Sequence, residues 1–168
     1  MPGRWWFVVI LGIDPGTTQS GYVEMGDTGN VLASGTEDNH HILVRIANWP
    51  AKHPVVIEMI ESRGMPVGES TFETCVWIGR MIGAYQGVKL IRIKRGDVKL
   101  HICGTKRAKD SNIRQALLDM YPAVGGGKTP QVGTRAQPGP LYGVTSHAWQ
   151  ALAVAVTARD QLEATRGA

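Results

Sequence analysis

Hydrophobic positions divide the chain into short continuous runs and longer stretches with helical spacing. Val8 to Ile13 is an unbroken apolar, β-branched run, which predicts a buried central strand. Asp14-Pro15-Gly16 then forms a turn. Residues 21–25 and 31–36 read as two more strands, with 26–30 as their hairpin connection. Residues 40–49 fit a short helix stopped by Pro50, and 55–59 are another buried strand. Ser70 and Glu73 have capping-box spacing and open a helix to about residue 85, with Phe72, Val76, Gly79 and Ile82 down one face. Residues 88–93 are a strand. Residues 110–121 are a helix with Ile113, Ala116, Leu117 and Met120 inward, ended by Pro122. The segment 123–140 is rich in Gly, Pro and polar residues and reads as a mobile loop. A last helix runs from about 146 to 164.

Three strands in a meander, then alternating helices and strands, then a closing helix predict a mixed α/β sheet with helices on both faces. The 168 residues suit a single domain over 1–168, and 43% hydrophobic residues allow one core. No run approaches the roughly 20 apolar residues of a membrane span. The apolar start runs into Gly12-Ile13-Asp14 without a cleavage site and reads as a strand, not a leader. Cys75 and Cys103 form neither a metal-type pair nor a disulfide framework, which fits a cytoplasmic protein. The net charge of +4 is a mild excess, but it is concentrated. Lys89, Arg92, Lys94, Arg95, Lys99, Lys106, Arg107, Lys109 and Arg114 face only Asp97 and Asp110 over 89–114. Such a segment suits either phosphate contact or a solvated basic surface.

Asp14 and Glu58 each close a buried strand and precede irregular backbone. If their strands are neighbours, two carboxylates converge at one sheet edge, and their repulsion keeps one protonated unless a cation intervenes. Hard carboxylate oxygens suit Mg²⁺ or Mn²⁺. Two such ions activate a water and stabilise the leaving oxygen of a phosphodiester. The alternative for Glu58 alone is pairing with a base such as Arg63. His147 and Gln150 share the first turn of the last helix, where His147 is a candidate metal ligand or water-positioning group. Gln150 is a weak ligand, suited to a hydrogen bond with backbone or a metal-bound water.

These residues resemble a known family. Ile10-Leu11-Gly12-Ile13-Asp14-Pro15-Gly16 with Ser20-Gly21-Tyr22 looks like the first strand and turn of RuvC-type Holliday-junction resolvases, in the ribonuclease H-like superfamily. Ile57-Glu58 matches their second acidic site. Lys99, Gly104, Ala108 and Lys109 resemble their basic segment, and 151–155 their closing helix. The stretches 63–68 and 149–152 look closest to phage-type or prophage-type members.

The resemblance implies a ribonuclease H-like fold, a homodimer, and Mg²⁺-dependent symmetric nicking of four-way DNA junctions. It implies metal binding by Asp14 and Glu58, with His147 where the family's closing helix usually begins with an acid. Gln150 stands where a second acid is frequent, and Glu61 is a candidate substitute. Lys99, Lys106, Arg107, Lys109 and Arg114 would hold DNA phosphates, Lys109 beside a helix N-terminus. Phe72, Met65 or an N-terminal Trp are candidate junction wedges, although the helical spacing of Phe72 assigns it to the core. Three other readings remain. Gly12-Ile13-Asp14-Pro15-Gly16-Thr17-Thr18 also resembles the first phosphate loop of sugar kinases and actin-like ATPases. The chain could instead be a junction-binding protein with a weakened acidic centre, or a nuclease acting on flaps or forks.

Overall fold

The computed structural model describes residues 7–167. Five strands form one sheet in the order β3-β2-β1-β4-β5. They are β1 (Val9–Asp14), β2 (Gln19–Gly26), β3 (Val31–Asp38), β4 (Val55–Met59) and β5 (Leu90–Lys94). The first three make the antiparallel meander, while β4 and β5 run parallel to β1. The mixed α/β sheet expected from the hydrophobic pattern is therefore present.

Side chains on a strand alternate between faces, and here each face has its own helical layer. Leu11 and Ile13 of β1 and Val55 and Ile57 of β4 pack with α1 (Asn39–Ala47) and α2 (Glu69–Ala84). Ile10 and Val56 pack on the other face with α3 (Arg95–Cys103), α4 (Asp110–Met120) and α5 (Ala148–Arg166). The first half of α5 is buried all round, because sheet, α3 and α4 enclose it. Small residues make that close approach feasible. A Cβ on Gly12 would stand 2.6 Å from the Ala151 carbonyl oxygen, and one on Gly21 would overlap the His147 carbonyl.

Several local expectations are corrected. In α2 the buried residues are Thr74, Trp77, Ile78 and Met81, while Phe72, Val76 and Gly79 face solvent and Ile82 is half-buried. The helix has two apolar stripes, and the one carrying the large Trp77 and Met81 docks on the sheet. The Ser70–Glu73 capping box does not form: the helix begins at Glu69, after Gly68, with no side-chain cap bond. In α4 Leu118 is buried where Met120 was expected, and Met120 is exposed. Helix α3 is an element that the basic composition of 89–114 concealed. Val98 and Ile102 anchor it one turn apart, and Gly104 ends it at φ +74° in the left-handed region.

The segment 123–140 carries no helix or strand. Backbone hydrogen bonds cross it, from Gly125 to Pro130 at 2.8 Å and from Gly126 to Gln137 at 2.8 Å. Leu141 and Val144 just beyond it enter the core under α5. Among the described residues no helix is long and apolar enough to cross a membrane.

Candidate metal and phosphate site

Asp14 and Glu58 meet because of register. The parallel pairing aligns Ile13 with Ile57, so the next residue on each strand lies side by side with its counterpart. Alternation then turns both carboxylates to the α5 face, following Gly12 and Val56. Both line one open cleft of about 410 Å³, together with Glu61, Arg63, Arg95 and Lys99. The turn after Asp14 is held by buried groups. Ser20 Oγ donates to Asn39 Oδ1 at 2.6 Å, Asn39 Nδ2 donates to the Gly16 carbonyl at 3.0 Å, and the Gly16 N–H donates to Ser20 Oγ at 3.2 Å. Sequence reading missed Asn39, whose role depends on β2 and α1 meeting.

Helix α5 delivers the next two residues. His147 precedes its first turn, with Nδ1 3.4 Å from Asp14 Oδ2. Gln150 Nε2 donates to Glu58 Oε2 at 2.7 Å, a side-chain partner in place of the expected backbone or water. The base paired with Glu58 is Arg95, not Arg63. Arg95 Nη1 donates to Glu58 Oε1 at 2.9 Å and Nη2 to Asp110 Oδ1 at 2.7 Å. Arg95 and Asp110 were counted only as members of a charged segment. Each opens a helix, α3 or α4, and only the packing of those helices beside β4 brings them here.

Burial first, and then the nearby Glu58 carboxylate, push the Asp14 carboxyl up from 3.8 to about 7, against the opposing pull of Arg95. The donor set of oxygen-rich carboxylates with one imidazole suits a hard divalent ion. Among the described residues, however, no three His, Cys, Asp or Glu side chains converge as a ready-made metal cage. Asp14 and His147 remain available, while Glu58 is engaged by Arg95 and Gln150.

The expected basic residues separate into different environments. Lys99 is 7% exposed, lines the cleft, and makes no hydrogen bond or ion pair among the described residues. Lys106 is tied to Asp97 at 3.1 Å and lies 4.0 Å from Glu61. Arg107 and Lys109 are exposed near the start of α4. Arg114 stacks 5.0 Å over the Trp149 ring, on the Asp110 and His147 side of the site. Of the candidate wedges, Phe72 (62% exposed) and Met65 (74% exposed) project from the surface, which reverses the core assignment of Phe72. The N-terminal tryptophans lie outside the described residues.

A mixed sheet in this order, with acids ending adjacent strands β1 and β4 and a closing helix arriving beside them, defines the ribonuclease H-like class. Within that class the chain has the RuvC-type fold. It is similar to the structure of RuvC from Thermus thermophilus, with 19% sequence identity, a TM-score of 0.62, and coverage of 94% of this chain and 98% of that one. It is equally similar to T. thermophilus RuvC in complex with a Holliday junction substrate, with 19% identity, a TM-score of 0.62, and coverage of 92% and 96%. No family model matches the chain, and no curated protein matches it in sequence. At this identity the likeness establishes the fold; the activity is argued separately below.

Proposed function

We propose that the protein is a divalent-ion-dependent endonuclease that cuts branched DNA, with four-way junctions as its substrate class. The observation that carries this reading is the meeting of Asp14 and Glu58 at one cleft, with His147 in contact with Asp14 on its other side, on the fold of a protein seen bound to a Holliday junction. Mg²⁺ or Mn²⁺ bound at Asp14 would supply Lewis acidity and a nucleophilic hydroxide for phosphodiester hydrolysis. His147 is more than half exposed and in contact with Asp14, placed to orient an incoming water. Lys99 is buried with no hydrogen-bond or ion-pair partner among the described residues, and a phosphate entering the cleft would satisfy it. Arg107, Lys109 and Arg114 extend the positive surface away from the cleft and suit the flanking backbone.

A homodimer fits a two-fold substrate, giving one active site per strand cut. Support comes from α2, where Phe72, Val76, Gly79 and Gly83 form an exposed stripe of apolar and small residues at helical spacing. A second copy of the chain is the occupant that the symmetry of the substrate calls for.

The test is a synthetic four-way junction incubated with Mg²⁺ or Mn²⁺. Symmetric nicking is expected, and Asp14→Asn should abolish it while junction binding survives, because Asp14 holds the ion rather than the DNA. Cleavage retained in that variant refutes the assignment. A second reading, a junction binder without hydrolysis, is favoured by Arg95 and Gln150 occupying Glu58. Tight junction binding with no nicking in either metal would select it.

A further inference from the structure

The number of ions is where this site departs from the two-ion centre expected from the sequence. Both oxygens of Glu58 already accept a hydrogen bond, Oε1 from Arg95 at 2.9 Å and Oε2 from Gln150 at 2.7 Å. Arg95 also reaches Asp110 at 2.7 Å, so a fixed cation bridges two carboxylates. Bridging carboxylates is the role a second divalent ion would play. Arg95 is half-sheltered at the start of α3, held by the parallel pairing of β5 with β4 and by the packing of α3 on α4. An arginine cannot give up its proton to relieve crowding, so its charge is permanent.

The charges point the same way. Glu58 and Asp110 share the Arg95 guanidinium and the buried Lys99 lines the same cleft, so an ion beside Glu58 would meet fixed positive charge. Among the described residues Asp14 has no arginine or lysine within ion-pair distance, only His147. Gln150 adds no charge, and no three metal-ligating side chains converge among the described residues.

We infer that this centre takes one divalent ion per protomer, on the Asp14 and His147 side, and that Arg95 stands in the place of a second ion. This rests on the reading of the cleft as a divalent-ion nuclease site. Arg95 is then a positioning residue: it orders Glu58 and presents positive charge toward the DNA phosphate without dissociating.

The test is a Mn²⁺ titration of the full chain, read by calorimetry and by the electron paramagnetic resonance signal of free Mn²⁺, without DNA. One Mn²⁺ per protomer is expected for the wild type. In Arg95→Gln, folded by circular dichroism, a second Mn²⁺ should be taken up, or the first should tighten at least about tenfold, because a like charge has been removed. Arg95→Lys should keep the count at one and, if the glutamine variant does not fold, carries the comparison together with the wild-type count. Two ions on the wild type would overturn the inference while leaving the nuclease reading intact. A count and affinity unchanged in folded Arg95→Gln would overturn the role given to Arg95. No Mn²⁺ uptake by the wild type would overturn both this inference and the reading it rests on.

Discussion

Asp14→Asn should stabilise the ion-free protein, and by more at pH 8 than at pH 5. Asp14 is only 12% exposed and stands beside Glu58, which together lift its carboxyl from 3.8 to about 7. Its folded pKa lies above its unfolded one, so the folded state binds the proton more tightly. The associated stability is complete below about pH 4 and is lost as pH rises toward 7. Relative to that low-pH limit, the loss is about 2 kcal/mol at pH 5 and about 4 kcal/mol at pH 8, at 1.36 kcal/mol per pH unit. Asparagine does not titrate, so the stability gap between variant and wild type should widen by about 2 kcal/mol over that interval, or somewhat less where water relaxes the buried charge. Urea unfolding in a chelator at the two pH values measures it, and the relative midpoint should move by about 1 M. Adding Mn²⁺ at pH 8 should then stabilise the wild type and leave the variant unchanged, because binding to the folded state alone adds stability. A gap that stays constant from pH 5 to pH 8 would show that Asp14 is not held in the sheltered, like-charged position described here.

Two further outcomes test other parts of the structure. Gly21→Ala would drive a methyl into the His147 carbonyl, so it should cost about 1–3 kcal/mol in unfolding and lower cleavage more than junction binding by shifting His147; a variant with normal stability and normal nicking would contradict the close contact between β2 and α5. Lys99→Met keeps the buried stem and removes the charge, so it should weaken junction binding and reduce the slope of log affinity against log salt by about one; an unchanged slope would remove Lys99 from the phosphate contacts.

The elements most legible in the sequence were those whose pattern is local. The unbroken run into Asp14, the Val55–Met59 strand and the small-residue helix after His147 each carry a periodicity that needs no partner to be read. Asp14 and Glu58 were visible as acids ending buried strands, and His147 as the residue opening the last helix. The inward face of α2 was misread because it has two apolar stripes, and spacing alone cannot say which one meets the sheet.

Sequence by itself thus determined the order of elements, the mixed α/β class and the acids at the strand ends, since these follow from hydrophobic period and turn chemistry along a short stretch of chain. Tertiary structure decided what surrounds those acids. The register of β1 against β4 set their adjacency, Gly12 and Gly21 set how closely α5 approaches, α3 carried Arg95 to Glu58 across 37 positions, and α4 brought Asp110 to Arg95 across 15. Contacts between residues so far apart depend on helix packing angles and strand offsets, which no local pattern encodes, and they govern whether a carboxylate is free for a metal ion or already held by a guanidinium.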